Sequence, residues 1–323
     1  MDGPVWKIRW VVHHHGLVEG GKSPTGWGMG VATALRQVGN HLRLGEQPGW
    51  VQSMLRRLFR HAQGRQTICD FDGRFMMTLD LAEHMQRRMF WMGYYNLRLV
   101  SLLDHLLEQG MTVVDVGANI GEISLVCANR VGSGGHVVAL EPIAGIADEL
   151  RLNIRCNGLQ GVVHVHQQGL AGKIGRQAIY ASCGQHDVNE VHQGLGSLHG
   201  TEGVDNRIGV VDITTLDELA RRIGLSRLDF LKVDIEGGEL PCLEGSIETL
   251  RRFLPVIAVE VQERSSLAAG YHSRQILELL SPLGYRFYRL ETRRRLVRID
   301  VQDLRDYQDV ICFAGPVRAL EVA

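Results

Sequence analysis

Three short apolar runs each end in a carboxylate: Asp115 in TVVDVGANIGEISL (112–125), Glu141 in HVVALEP (136–142) and Asp234 in LKVDIEGGEL (231–240). Runs of this length read as buried strands. In an open α/β sheet, ligands bind outside the carboxyl ends of the strands, so these acids and Glu260 in PVIAVEV (255–261) belong to one edge. Gly117 and Gly121 follow Asp115 and enclose Ala118, Asn119 and Ile120. Such a turn lets something come close to the backbone.

The spacing narrows what that is. A nicotinamide site uses G-x-G-x-x-G, and here the first two glycines are four apart. No Gly-Lys-Ser/Thr follows, which excludes a phosphate-binding P-loop. Asp115 would repel a pyrophosphate and attract a cation. S-adenosylmethionine, with its ammonium and sulfonium, suits such a mouth. Glu141, twenty residues past Gly121, is placed to hold two ribose hydroxyls, as an acid also does in nicotinamide sites. A plain tight strand-to-helix turn would explain the glycines alone.

The segment 231–240 breaks a rule. Central parallel strands are apolar on both faces, yet Lys232 and Asp234 alternate with Leu231 and Val233. Such breaks mark sites. Asp234 is the candidate proton acceptor or substrate clamp, with Glu236 beside it and Lys232 orienting both. A structural Lys–Asp pair is the bland alternative. Asp234, Glu236 and Glu260 could instead gather a divalent cation, which spacing cannot decide. His164 and His166 share a strand face and read as packing or solvent-exposed residues. The glycine-rich stretch 183–203 reads as a lid whose His186, His192 or His199 could serve as base.

The positioning elements alternate. Strands are predicted at 111–116, 136–141, 162–167, 229–235 and 256–261, and helices at 119–131, 144–156, 215–223, 239–252 and 274–282. This is the rhythm of a doubly wound parallel sheet. YRFYRL (285–290) and DVICFAG (309–315), joined through an arginine-rich turn, suggest a closing antiparallel strand. Upstream, 67–81 reads as a hairpin about Asp72-Gly73, with helices at 49–62, 82–91 and 95–109. The organisation expected is a poorly ordered or loosely docked segment 1–45, helices and hairpin over 46–110, and an α/β domain over 111–323.

Composition bounds the function. The 323 residues are 45% hydrophobic and carry a formal net charge of −1, so no whole-molecule field recommends nucleic acid or a membrane. Nine Lys/Arg against three Asp/Glu in 1–65 read as a solvated face. The six cysteines show no CxxC pair, which suits a reducing cytoplasm. No signal peptide or membrane span is legible.

Taken together, VVDVGANIGEISL, VVALEP, NIRCNGL, TTLDEL, LDFLKVDIEGGELPCLEG and PVIAVEV resemble the FkbM family of S-adenosylmethionine-dependent methyltransferases, over roughly residues 90–262. The resemblance implies the seven-stranded Rossmann-like methyltransferase sheet with an antiparallel last strand. It implies O-methylation of a hydroxyl on a sugar, glycan or polyketide-type natural product. It carries Asp115, Gly117, Asn119, Gly121 and Glu141 over as cofactor-binding positions, with Ala118 between them. Lys232, Asp234 and Glu236 carry over as the polar cluster. A nicotinamide-dependent oxidoreductase and a methyltransferase-like binding module without turnover are the alternatives. The acceptor, any metal and the oligomeric state are not legible.

Overall fold

The computed structural model describes Arg36, Met54, Arg57 and residues 62–183, 191–197, 207–291, 295–315 and 321–322; the side chains of 182–183, 191–196 and 321–322 are not among what it describes. The helix expected at 49–62 lies largely outside these residues.

The α/β unit is built on β3 (Thr112–Val116), β4 (His136–Leu140), β5 (Val163–His166), β10 (Phe230–Val233) and β11 (Val256–Gln262), which are parallel in the order β11-β10-β3-β4-β5. Strand β14 (Tyr307–Phe313) inserts antiparallel between β11 and β12 (Arg286–Leu290). These seven strands are the expected sheet with its antiparallel strand. The sheet is larger than expected, however, with nine strands among the described residues: β13 (Arg295–Ile299) and β15 (Glu321–Val322) extend the β12 edge. Residues 295–299, read from sequence as part of an arginine-rich turn, form a strand. Leu296 and Ile299 are buried while Arg295 and Arg298 face water, a charged pattern that protects an edge.

Strand alternation sorts the residues by face. Val114, Val116, Leu231, Val233, Ile257 and Val259 join one hydrophobic cluster, and Val113, Phe230 and Ala258 join the other. Asp115 and Lys232, register partners on adjacent strands, point to this second side. Glu260 and Asp309 are likewise register partners and share that face. Period two alone therefore gathers the polar groups on one side of the sheet.

That side is covered by the N-terminal part. Strands β1 (Arg65–Phe71) and β2 (Phe75–Asp80) form the expected hairpin, with Asp72 and Gly73 both at positive φ. Helices α1 (His84–Met92) and α2 (Leu97–Leu106) follow, and Phe71, Met77, Trp91 and Leu103 pack in one cluster with residues of α3 (Glu122–Val131) and the sheet. The hairpin and the α/β unit thus share a core. Arg36 is only 4% exposed; its guanidinium donates to the Phe90 carbonyl and pairs with Asp70. There the cation meets a carboxylate and the Phe90 ring; the rest of 1–45 lies outside the described residues.

Two further departures concern the other end. The helix expected over 239–252 is α6 (Glu239–Glu244) and α7 (Ile247–Phe253), broken where Gly245 presses against the Ala171 carbonyl: a Cβ there would lie 2.3 Å from it. Between β5 and α5 (Leu216–Arg222) a four-stranded sheet, β6-β9-β7-β8, was not foreseen. Its strands are Gly169–Leu170, Gly175–Cys183, Val191–Ser197 and Arg207–Thr214 in chain order. Part of the supposed lid is therefore paired strand; His186 and His199 fall outside the described residues, as does the His192 side chain. Among the described residues no helix is long and apolar enough to cross a membrane.

Asp72 holds the hairpin to α3. Its carboxylate, 3% exposed, accepts from Tyr94, Asn129 and Arg130, and Arg130 also reaches Asp104. Removing one partner of a buried pair strands the other charge. Asp72→Ala should lower stability by roughly 3 kcal/mol, measured as a shift of the urea midpoint at unchanged slope.

Candidate functional site

The turn after β3 is shaped by contacts within the protein. Gly117 has φ of 76°, and a Cβ there would lie 2.1 Å from the Asp234 carbonyl oxygen. Gly121 has φ of 102°, and its Cβ would meet Leu150 at 2.6 Å. What comes close to these glycines is the tip of β10 and a side chain of α4 (Ala144–Cys156). Asn119, at φ 50°, accepts from its neighbour Ile120 and donates its backbone N–H to Glu141. The Gly117 and Ala118 N–H groups bond the Leu140 carbonyl.

Glu141 is 5% exposed, with one oxygen accepting from Asn119 (3.1 Å) and the other from Ile143 (2.9 Å). Burial pushes its carboxyl up to about 7 against those bonds. Glu122, the first residue of α3, was not singled out from sequence. It accepts the N–H groups of Tyr95 (2.6 Å) and Asn96 (3.3 Å) and joins the N-terminal helices to the turn. Burial raises it to about 7 as well.

Asp115 departs from expectation. It is fully buried and does not line the cleft; Ser124 donates to it at 2.7 Å and Lys232 pairs with it at 3.3 Å. Its charge is answered inside the protein, so it offers no unpaired anion to a ligand. Lys232 is the junction: its ammonium donates to the Gly117 (2.8 Å) and Val116 (3.3 Å) carbonyls and lies 3.5 Å from Asp234. Burial works against its charge, but Asp115 and Asp234 outweigh burial and hold it protonated. Among the described residues it stands beside Asp234, and no hydrogen bond or ion pair joins it to Glu236.

Beyond β10 the chain turns sharply, with Glu236 at φ 53° and Gly237 at 96°. The Glu239 carboxylate braces this turn by accepting from Ile235 and Gly237. Ser197 of the small sheet donates to the Glu236 carbonyl at 2.8 Å. Burial and the nearby charges of Asp234 and Glu239 lift Glu236 to about 7. Glu260, bonded by the Tyr307 hydroxyl at 2.7 Å, is raised well above the usual carboxylate range by burial, Asp234 and Glu236.

These groups face one cleft of about 1110 Å³, counting space open to solvent. Gly117, Ala118, Asn119, Glu122 and Glu141 line it from the glycine turn and its neighbours. Lys232, Asp234, Glu236, Glu260 and Tyr307 line it from the adjoining strand ends, and Tyr95, Met85 and Met89 border it from the N-terminal helices. Tyr95 and Tyr307 escaped the sequence reading because Tyr95 lies between two helices and Tyr307 opens an antiparallel strand, whose first residue lies at the carboxyl edge of its parallel neighbours. Among the described residues no three His, Cys, Asp or Glu side chains gather in a metal-ligating arrangement, so Asp234, Glu236 and Glu260 do not form the cation cage considered above.

Fold and site define a Rossmann-like α/β protein with a glycine turn and an acidic strand tip in one cleft. The family model described as the methyltransferase FkbM domain matches residues 115–287, more than half of the chain, and the protein belongs to that family. Methyltransferase sdnD of Sordaria araneosa is 28% identical over 194 residues, 54% of this chain and 73% of that protein. The antimetabolite synthetase AmbE of Pseudomonas aeruginosa is 28% identical over 208 residues, 56% of this chain but 10% of its own length. The FkbM methyltransferase structure from Methylobacillus flagellatus aligns at a TM-score of 0.40 and 17% identity, covering 72% of this chain and 55% of that one. Membership of a methyltransferase family sets aside the oxidoreductase alternative.

Two outcomes follow from the geometry. Gly117→Ala places a methyl against the Asp234 carbonyl at a positive φ, so it should cost at least about 1 kcal/mol in thermal or urea unfolding. For Glu141 the folded value is above the unfolded one, so the native state holds more protons between pH 4.5 and 7 and loses stability as pH rises through that window. The stability of Glu141→Gln relative to the parent should therefore improve by about 3 kcal/mol from pH 4 to pH 8 in urea titrations. A flat difference would show that Glu141 is ionised throughout.

Proposed function

We propose that the protein is an S-adenosylmethionine-dependent O-methyltransferase acting, in the cytoplasm, on a hydroxyl of a sugar, glycan or polyketide-type natural product. The observation that carries this reading is the pairing of Glu141 and the glycine turn with the Asp234–Glu236 tip across one cleft. The residues suit the cofactor: Glu141 presents a buried carboxylate to ribose hydroxyls, and Gly117, Ala118 and Asn119 expose backbone beside it. When bound, the cofactor supplies an electrophilic methyl group.

The rest is work for the chain. An alcohol is a poor nucleophile and needs a base; Asp234, the more open carboxylate at 38% side-chain exposure, is assigned that proton, with Glu236 beside it. Glu236, lifted to about 7, can share the proton near neutral pH. Lys232 fixes Asp234 relative to Gly117, so base and cofactor turn keep one geometry, where much of the rate of an in-line transfer originates. Likeness to a segment of an antimetabolite synthetase supports a small natural product as acceptor.

A thermal-shift titration against S-adenosylmethionine, S-adenosylhomocysteine, NAD and NADP tests the cofactor. A rise of the melting temperature with the adenosyl compounds supports the reading; a rise with NAD alone overturns it. Glu141→Ala should abolish that rise. Asp234→Asn should keep it and lose turnover by about 10²–10⁴-fold with labelled cofactor and acceptor extracts, whereas normal turnover would remove Asp234 from the mechanism.

A further inference from the structure

The cation-binding role that sequence gives to Asp115 is vacant once Lys232 has paired with it. The cleft holds another carboxylate. Glu122 is 8% exposed, lines the cleft and begins α3 immediately after Gly121. Its Oε1 accepts both the Tyr95 and Asn96 N–H groups, while Oε2 has no hydrogen-bond partner among the described residues. No cation among them stands at ion-pair distance either. Arg88 lies over the Tyr95 ring at 5.3 Å, and Lys232 is held by the Asp115, Val116 and Gly117 oxygens. A carboxylate this buried is costly to keep ionised without a positive partner.

We propose that Glu122 receives the α-ammonium at the amino-acid end of the cofactor, an inference that rests on the S-adenosylmethionine reading above. Two buried acids flank the glycine turn. Glu141 accepts from Asn119 before Ile120, and Glu122 follows Gly121, so a ligand with a diol at one end and an ammonium at the other meets a complementary acid at each. Burial lifts both carboxyls to about 7, and each relaxes on gaining its ligand group. The bonds from Tyr95 and Asn96 fix the carboxylate plane, so the N-terminal helices position Glu122 and through it take part in the cofactor site.

Isothermal titration of the full chain and of Glu122→Gln with two compounds separates the roles. S-adenosylhomocysteine carries the ammonium, and 5′-methylthioadenosine has the same adenosine without the amino acid. Glutamine keeps an oxygen for Tyr95 and Asn96 but not the charge. We expect Glu122→Gln to weaken S-adenosylhomocysteine on the order of 10–100-fold and to leave 5′-methylthioadenosine within about twofold of the parent. Equal weakening of both compounds, or no change in either, overturns the proposal and reduces Glu122 to a brace. If the parent binds neither compound, the cofactor reading itself fails, whatever Glu122 does. Glu141→Ala, which should weaken both compounds, marks the difference between the two ends of the site.

Discussion

The arrangement depends on one buried ammonium. Lys232 sits where β3 and β10 end side by side, and its three protons meet two carbonyls and two carboxylates within 3.5 Å. A charge so enclosed is tolerated only when its partners are fixed, because removing any of them leaves the desolvation uncompensated. The same bonds that hold the lysine hold Gly117 and Asp234 in place. The glycine turn and the acidic strand tip are therefore two ends of one electrostatic clamp.

Much of this was legible because strand alternation and strand-end chemistry are local. Lys232 and Asp234 stood out as polar residues in a central strand, and Glu141 through its distance from the glycines. The structure places Glu141, Asp234 and Glu236 in the cleft. Asp115 read as an acid that would attract a cation, and in the structure that cation is Lys232: which of two neighbouring strands answers its charge is a matter of register, which no single segment records. Similarly, the glycines promised a close approach but could not reveal that the approaching group is the Asp234 carbonyl.

What was missed came from pairing between distant segments. In the sheet Gly169–Leu170, Gly175–Cys183, Val191–Ser197 and Arg207–Thr214 the apolar alternation is confined to short stretches, Ile179 with Ala181 and Val211 with Ile213, set among glycines and polar residues. Leu296 and Ile299 hide a strand among arginines in the same way. Glu122 looked like an ordinary first-turn acid, favourable at a helix start wherever it occurs. Only the packing of residues 94–96 against it turns it into a cleft residue.

The contact between Gly117 and the Asp234 carbonyl has a mechanical meaning. Two loops that touch backbone to backbone and share an ammonium cannot open against each other, so the floor of the cleft behaves as a single rigid plate. Room for ligands to enter and leave has to come from the walls. Those walls are the N-terminal helices, latched at Glu122, and the small sheet, latched at Ser197 to the Glu236 carbonyl. At Ser197 the small sheet is joined to the strand tip by one hydrogen bond, whereas the N-terminal helices also share a hydrophobic core with the α/β unit. Such a division lets the walls differ in shape while the floor keeps Gly117 and Asp234 at a fixed separation.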